Sequence, residues 1–213
     1  MSSKNHIINA YDKTAEAYAN SYKDELYGKH TDRILLKAFA TETAGKGRIM
    51  DFGCGPGHTT GYLFQNGLKQ VEGSDISPGM VTVAKKLNPA IPFYVLDMLQ
   101  PDIPDNSFAG AIAFYSIVHF PVTALPTVFS EIRRVLKPGS PFLFSFHVGN
   151  NVVHRDEFLG EAVDMDFYFF ETETIAGILK QTGFDNTDIL VRDPYPEVEY
   201  PSKRAYIWTH TNK

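Results

Sequence analysis

A doubly wound α/β fold, with a mostly parallel sheet covered by helices on both faces, is what this sequence predicts. Short apolar runs alternate along the chain with segments of helical period, and several of the runs are apolar on both faces. No internal repeat or low-complexity tract interrupts that alternation. At 213 residues, 43% of them hydrophobic, the chain is long enough to bury a self-sufficient core as one globular unit.

Residues 1–44 read as a helical cap, with Tyr11, Ala15, Tyr18 and Tyr22 on one face at i, i+4, i+7 and i+11. Residues 45–213 form the main domain. A first strand at 48–52 runs into Gly53-Cys54-Gly55-Pro56-Gly57, and a second is expected at 68–75. Ser77 then caps a helix with Pro78 at its first position, and Met80, Val83, Ala84 and Leu87 make its apolar stripe. A third strand follows at 92–97, a fourth at 108–115 and a fifth at 142–147. Between the last two, Leu125, Val128, Phe129, Ile132 and Leu136 mark a helix ended by Pro138-Gly139. Residues 146–170 show no clear period and read as a long connection of the kind that forms lids or binding segments. Ile175, Ile178 and Leu179 mark one more helix, and 188–191 and 205–209 two tail strands.

Charge and cysteine content narrow the function. Twenty Lys and Arg stand against 25 Asp and Glu, a formal charge of −5, with basic residues only in isolated pairs. That argues against a DNA partner or any phosphate-tracking binder. The single cysteine, Cys54, excludes an intramolecular disulfide and a multi-cysteine zinc site, and reads as a small buried filler. Residues 1–10 lack the apolar core of a secretory signal, and the longest apolar run, 108–114, is far below the ~20 residues a membrane helix needs. A cytoplasmic, membrane-free protein is expected.

Three glycines after a strand, Gly53, Gly55 and Gly57, let the backbone turn sharply and approach a ligand, with a helix N-terminus near His58. Asp75 ends the second strand and can accept both ribose hydroxyl hydrogens, and Asp97 closes the third strand similarly. Each can instead cap the turn that follows it. The three places share the carboxyl edge of the sheet, where open α/β sheets bind ligands, so an adenosine-like ligand is expected. His58 breaks both the dinucleotide fingerprint and the phosphate loop at a defined position. His119 and His147 follow the fourth and fifth strands, so each is a candidate base or else a structural histidine lining the pocket. His147 and His154 with Asp156 and Glu157 show no metal-ligand spacing, and no metal is expected. The run 164–170, Asp-Met-Asp-Phe-Tyr-Phe-Phe, is the best candidate for an acceptor wall.

These motifs resemble the class I S-adenosylmethionine-dependent methyltransferases, in particular small-molecule members with an N-terminal helical cap. The matching runs are Ile49-Met50-Asp51-Phe52-Gly53-Cys54-Gly55-Pro56-Gly57, Gly73-Ser74-Asp75-Ile76-Ser77-Pro78-Gly79-Met80 and Val95-Leu96-Asp97-Met98. The runs Phe114-Tyr115-Ser116-Ile117-Val118-His119-Phe120 and Glu131-Ile132-Arg133-Arg134-Val135-Leu136-Lys137-Pro138-Gly139 follow in order. The resemblance implies a Rossmann-like sheet of seven strands, the last antiparallel, and S-adenosylmethionine as cofactor. It also implies roles. Gly53 and Gly55 would pass under the methionine part, with Asp51 near its ammonium. Asp75 would hold the ribose, Ile76 would pack on adenine, and Asp97 and the Met98 backbone would hydrogen-bond it. The Phe114 backbone would face the methionine amine, and Tyr18 would close over the cofactor.

Absences narrow the acceptor. The run after the fourth strand lacks the Asn/Asp-Pro-Pro-Tyr of adenine and glutamine N-methyltransferases, no Pro-Cys pair exists, and the acids of metal-dependent catechol-type enzymes are replaced. A metal-free transfer to a small-molecule acceptor is expected, by in-line displacement that mainly needs alignment and exclusion of water. A non-catalytic S-adenosylmethionine-binding regulatory protein and a nicotinamide-dependent oxidoreductase are the alternatives.

Overall fold

The computed structural model describes residues 3–212; positions 1 and 2 of the expected helical cap, and residue 213, lie outside the described residues. The strands are β1 (Ile49–Phe52), β2 (Val71–Asp75), β3 (Phe93–Val95), β4 (Gly110–Phe114), β5 (Pro141–His147), β6 (Val152–Phe158), β7 (Glu161–Tyr168), β8 (Phe184–Arg192) and β9 (Arg204–Thr211). Seven of them form one sheet in the order β3-β2-β1-β4-β5-β9-β8, while β6 and β7 pair separately. Pairing is parallel from β3 to β5 and antiparallel at β5–β9 and β9–β8. The chain winds outward from β1 to β3, then returns to the other side of β1 as β4. That reversal leaves a crevice over the carboxyl ends of β1 and β4.

Strand alternation divides the core. Met50, Phe52, Phe142, Phe144 and Phe146 face α6 (Leu125–Val135) and α7 (Thr172–Gln181). Ile49, Ile112 and Leu143 face α3 (His30–Thr43) and α4 (His58–Gln65). The rings of Phe142 and Phe144 stack at 4.7 Å and those of Phe144 and Phe146 at 6.0 Å, all fully buried. Each contributes about 2 kcal/mol by leaving water. Before α5 (Pro78–Leu87), Ser77 Oγ accepts the Met80 N–H at 3.0 Å, the cap the sequence predicts.

The expected cap is helical, and three other expectations are corrected. The N-terminal cap is three helices, α1 (Ser3–Tyr22), α2 (Glu25–Gly28) and α3. The chain leaves helical geometry at Lys29, whose ammonium turns inward to Glu25 at 2.9 Å and Glu199 at 3.8 Å. β2 starts at Val71 rather than 68, because Leu68 closes the turn after α4 behind Gly67 at φ +99°. β8 runs the full Phe184–Arg192 because β9 pairs along it beyond its apolar centre.

The segment 146–170 is no irregular loop but the β6–β7 hairpin. Its two-residue turn, Leu159-Gly160, has positive φ at both positions, as a type I′ turn requires. The hairpin is mostly charged on its outer side, and Leu-Gly carries none of the Asn-Gly signal. Its apolar alternation, Val163, Met165, Phe167, lies on β7, which packs on α1. Among the described residues no helix is long and apolar enough to cross a membrane.

Candidate active site

The loop from β1 to α4 sets the floor. Gly53 has φ +69°, and a Cβ there would stand 2.3 Å from the Cβ of Ser116. Only glycine lets this loop pass beneath the chain leaving β4. Gly55, at φ +53°, has nothing within 4 Å of where a Cβ would be, so its backbone opens on free space. Asp75 braces the loop: Oδ2 accepts the Gly55 N–H and Oδ1 the Ser77 N–H, both at 2.9 Å. The turn-capping use of Asp75 is therefore present, and each oxygen keeps a further lone pair. Burial, against these backbone bonds, raises the Asp75 pKa above the usual carboxylate range. Asp97 accepts the Leu99 N–H at 2.9 Å and pairs with Lys4 of α1 at 2.6 Å.

Above this floor lies a cavity of about 320 Å³, the size of a small-molecule site. Asp51, Gly53, Gly55, Asp75 and Ile76 line it from the ends of β1 and β2. Asp97, Met98 and Phe114 line it from beyond β3 and β4, and Tyr18 from α1. Every cofactor-site residue expected from the sequence thus meets the same space. Burial pushes the Asp51 pKa up to about 7, a rise only partly offset by the hydrogen bond from Thr60 Oγ1 at 2.6 Å.

The two histidines separate. His119 lines the cavity; its Nδ1–H donates to the Asp166 carbonyl at 3.4 Å and its Nε2 accepts from the Tyr11 hydroxyl at 2.7 Å. Burial lowers its pKa to about 4, so the ring is neutral at pH 7. His147 does not line the cavity. Its Nδ1 meets Ser202 Oγ at 2.8 Å, its ring stacks on Phe169 at 4.9 Å, and burial with the Arg204 and Lys29 charges lowers its pKa to about 3. None of residues 164–170 lines the cavity either; Phe167 reaches it only through His119, 4.8 Å away ring to ring. The wall facing the cavity is α1 to α3 instead. Among the described residues no three His, Cys, Asp or Glu side chains are placed to hold a metal ion. Cys54 is buried, and that burial raises its thiol pKa, which suits an inert filler.

Sequence reasoning missed four lining residues. Glu25 accepts from His58 Nε2 at 3.1 Å; burial raises its pKa, but the His58 hydrogen bond and the Lys29 charge outweigh this and hold it down to about 2. His58 Nδ1 is buried without a partner. Asp32, 1% exposed, accepts from Tyr206 Oη at 2.6 Å and Arg192 at 3.2 Å. Tyr115 follows β4 at φ +54°, a left-handed conformation that costs a bulky residue about 1 kcal/mol or more. Neither Glu25 nor Asp32 sits in a glycine turn or at a strand end, so no local signal marks them. Five acids, Glu25, Asp32, Asp51, Asp75 and Asp97, line the cavity, against Lys4.

Residues 49–139 match a family model described as a methyltransferase domain. That stretch of the chain, from β1 through the end of α6, is thus similar to a methyltransferase domain. Among curated relatives, a malonyl-[acyl-carrier protein] O-methyltransferase of Serratia marcescens is 35% identical over 98 residues, 46% of this chain and 37% of that protein. A phosphoethanolamine N-methyltransferase of Arabidopsis thaliana is 27% identical over 150 residues, 68% of this chain and 30% of that one. The chain thus spans about a third of the length of these curated relatives. In fold, the magnesium protoporphyrin IX methyltransferase of Synechocystis PCC 6803, solved with bound S-adenosylmethionine, superposes with a TM-score of 0.73 at 18% identity, covering 100% of this chain and 98% of that one.

Proposed function

We propose that this chain binds S-adenosylmethionine in the cavity and transfers its methyl group to a small-molecule acceptor without a metal ion, in the cytoplasm. The observation that carries the reading is the glycine loop braced by Asp75 with Asp97 beside it, all lining one cavity. Three features fit the cofactor. The Gly55 backbone opens on free space, His58 Nδ1 and Ser116 Oγ are buried without partners along the lining, and the lining's acid excess suits a ligand of net positive charge. When bound, the cofactor supplies an electrophilic methyl group on a sulfonium.

The chain's own residues bind and orient. Asp75 accepts from the ribose hydroxyls, Ile76 packs on adenine, and Asp97 with the Met98 backbone holds the adenine edge. Asp51 and the Phe114 carbonyl face the ammonium, while His58 and the first turn of α4 face the carboxylate. Tyr18, stacked near His58 at 6.4 Å between centroids, covers the cofactor from α1. His119, with both ring nitrogens engaged, positions Tyr11 on the acceptor side rather than drawing a proton. His147 supports the sheet edge from outside the cavity. Alignment and exclusion of water then lower the barrier.

A competition between S-adenosylhomocysteine and NADH, read by calorimetry, tests the cofactor, with S-adenosylhomocysteine expected to bind and NADH to fail. Preference for NADH would contradict the reading. Binding followed by no transfer to any acceptor would favour a non-catalytic binding protein.

A further inference from the structure

Relatives carry names that span O-, N- and C-methylation, so the family leaves the acceptor open. The cavity's own chemistry narrows it. Asp32 is almost wholly buried, and both its protein donors, Tyr206 Oη and an Arg192 amino group, converge on Oδ1. Its Oδ2 has no hydrogen-bond partner among the described residues, nor is it one of the solvent-shielded unpartnered atoms. Asp32 lines the cavity, and Oδ2 is the oxygen left for a ligand there. The Tyr115 ring already carries Lys29 Nζ at 5.1 Å, but Phe114 adds an aromatic face at the end of β4, and Tyr11 and Tyr18 add two more from α1. Ser116 Oγ, buried and unpartnered, supplies one more free polar atom on the same lining.

Three acceptor classes meet this wall differently. A carboxylate or phosphate acceptor would face Asp32 and Glu25, with the one lysine of the lining, Lys4, held by Asp97. An alcohol is far less acidic than an ammonium and needs a stronger base than the Asp32 carboxylate, while the His119 Nε2 lone pair is taken by Tyr11. An ammonium head finds an unpaired carboxylate oxygen and aromatic faces, the two things that stabilise a cation out of water.

We infer that the acceptor is a primary or secondary amine, bound as its ammonium at Asp32 Oδ2 between the rings of Phe114 and the α1 tyrosines. This rests on the cofactor reading above. Burial outweighs the nearby Arg192 and Lys29 charges and raises the Asp32 pKa, so the ammonium passes one proton to Asp32 Oδ2. The freed nitrogen lone pair forms the N–C bond as the S–C bond breaks, its electron pair staying on sulfur. The product leaves as an N-methylammonium, and Asp32 Oδ2 returns the proton it took to solvent, restoring the carboxylate.

The test is calorimetric, on the full chain saturated with S-adenosylhomocysteine, with three ligands of one frame: n-butylammonium, 1-butanol and butyrate. The ammonium is expected to bind at least tenfold more tightly than either of the others. Asp32→Asn is expected to remove that preference while S-adenosylhomocysteine affinity stays within twofold. Equal binding of butanol, tighter binding of butyrate, binding of none of the three, or a preference that survives in Asp32→Asn overturns the inference. If Asp32→Asn does not fold, the wild-type ranking decides alone. Failure of the wild type to bind S-adenosylhomocysteine overturns the cofactor reading instead, and is seen before any amine is added.

Discussion

The floor of the cavity and its cover are built by different means. On the floor, the ends of β1, β2 and β4 are locked by parallel pairing, and the glycine loop is held by backbone N–H groups on Asp75. The cover, α1 to α3 with the β6–β7 hairpin, is tied down by side chains. Lys4 reaches Asp97 at 2.6 Å, His6 reaches Asp164 at 2.6 Å, Glu25 reaches His58 at 3.1 Å, and Tyr11 reaches His119 at 2.7 Å. Asp12 joins the two, accepting from Ser77 Oγ at 2.6 Å and the Gly79 N–H at 2.7 Å. A backbone-built floor depends on chain geometry and suits the ligand shared across a family. A side-chain-built cover changes residue by residue, and suits the acceptor that varies within it.

The largest effect expected is on the floor. Gly53→Ala meets both the positive φ and the Ser116 Cβ, and should cost about 3 kcal/mol or more in urea unfolding. Gly139→Ala, at φ +73° with nothing within 4 Å, should cost only about 1 kcal/mol. Equal losses would mean that the close approach under Ser116 matters little.

Next comes acid stability at the junction of floor and cover. The folded His119 pKa of about 4 lies below the roughly 6.5 of an unfolded histidine, so the unfolded chain binds the extra proton between those values. Stability should therefore fall as pH drops from about 6.5 to about 4, by on the order of 3 kcal/mol from this residue. His119→Gln should flatten that part of the curve. An unchanged slope would show that His119 titrates normally.

Cutting the joint itself should cost less. Asp12→Ala removes two bonds and should lower stability by about 2 kcal/mol, measured by thermal unfolding, without changing the strand content seen by circular dichroism. The smallest effect expected concerns the ammonium end. With Asp51 at about 7 before binding, S-adenosylmethionine affinity should rise about tenfold from pH 6 to pH 8 as its carboxylate ionises. Asp51→Asn should bind more weakly and without that slope.

The same contrast explains what the sequence makes legible. The seven-stranded sheet, the Ser77 cap and the lining from Asp51 to Phe114 are written locally, in apolar runs, glycine spacing and acids at strand ends. The hairpin reads as a loop because Leu159-Gly160 gives no turn signal and its outer side is charged. The rule that strand ends meet the ligand puts His147 beside His119. That rule fails here because β5 pairs with β9, and the His147 ring turns to Phe169 and Ser202 instead. No local pattern marks Asp32 and Glu25, since helix positions 26 and 33 residues from His58 become site residues only through long-range packing with Arg192, Tyr206 and His58.

The most direct test of the cofactor site is calorimetric binding of S-adenosylmethionine and S-adenosylhomocysteine to the wild type and to Asp75→Ala. Micromolar binding by the wild type, on the order of −8 kcal/mol, is predicted, with a loss of about 2 kcal/mol in the variant as its ribose hydrogen bonds go. Absence of wild-type binding, or affinity indifferent to Asp75, would contradict it.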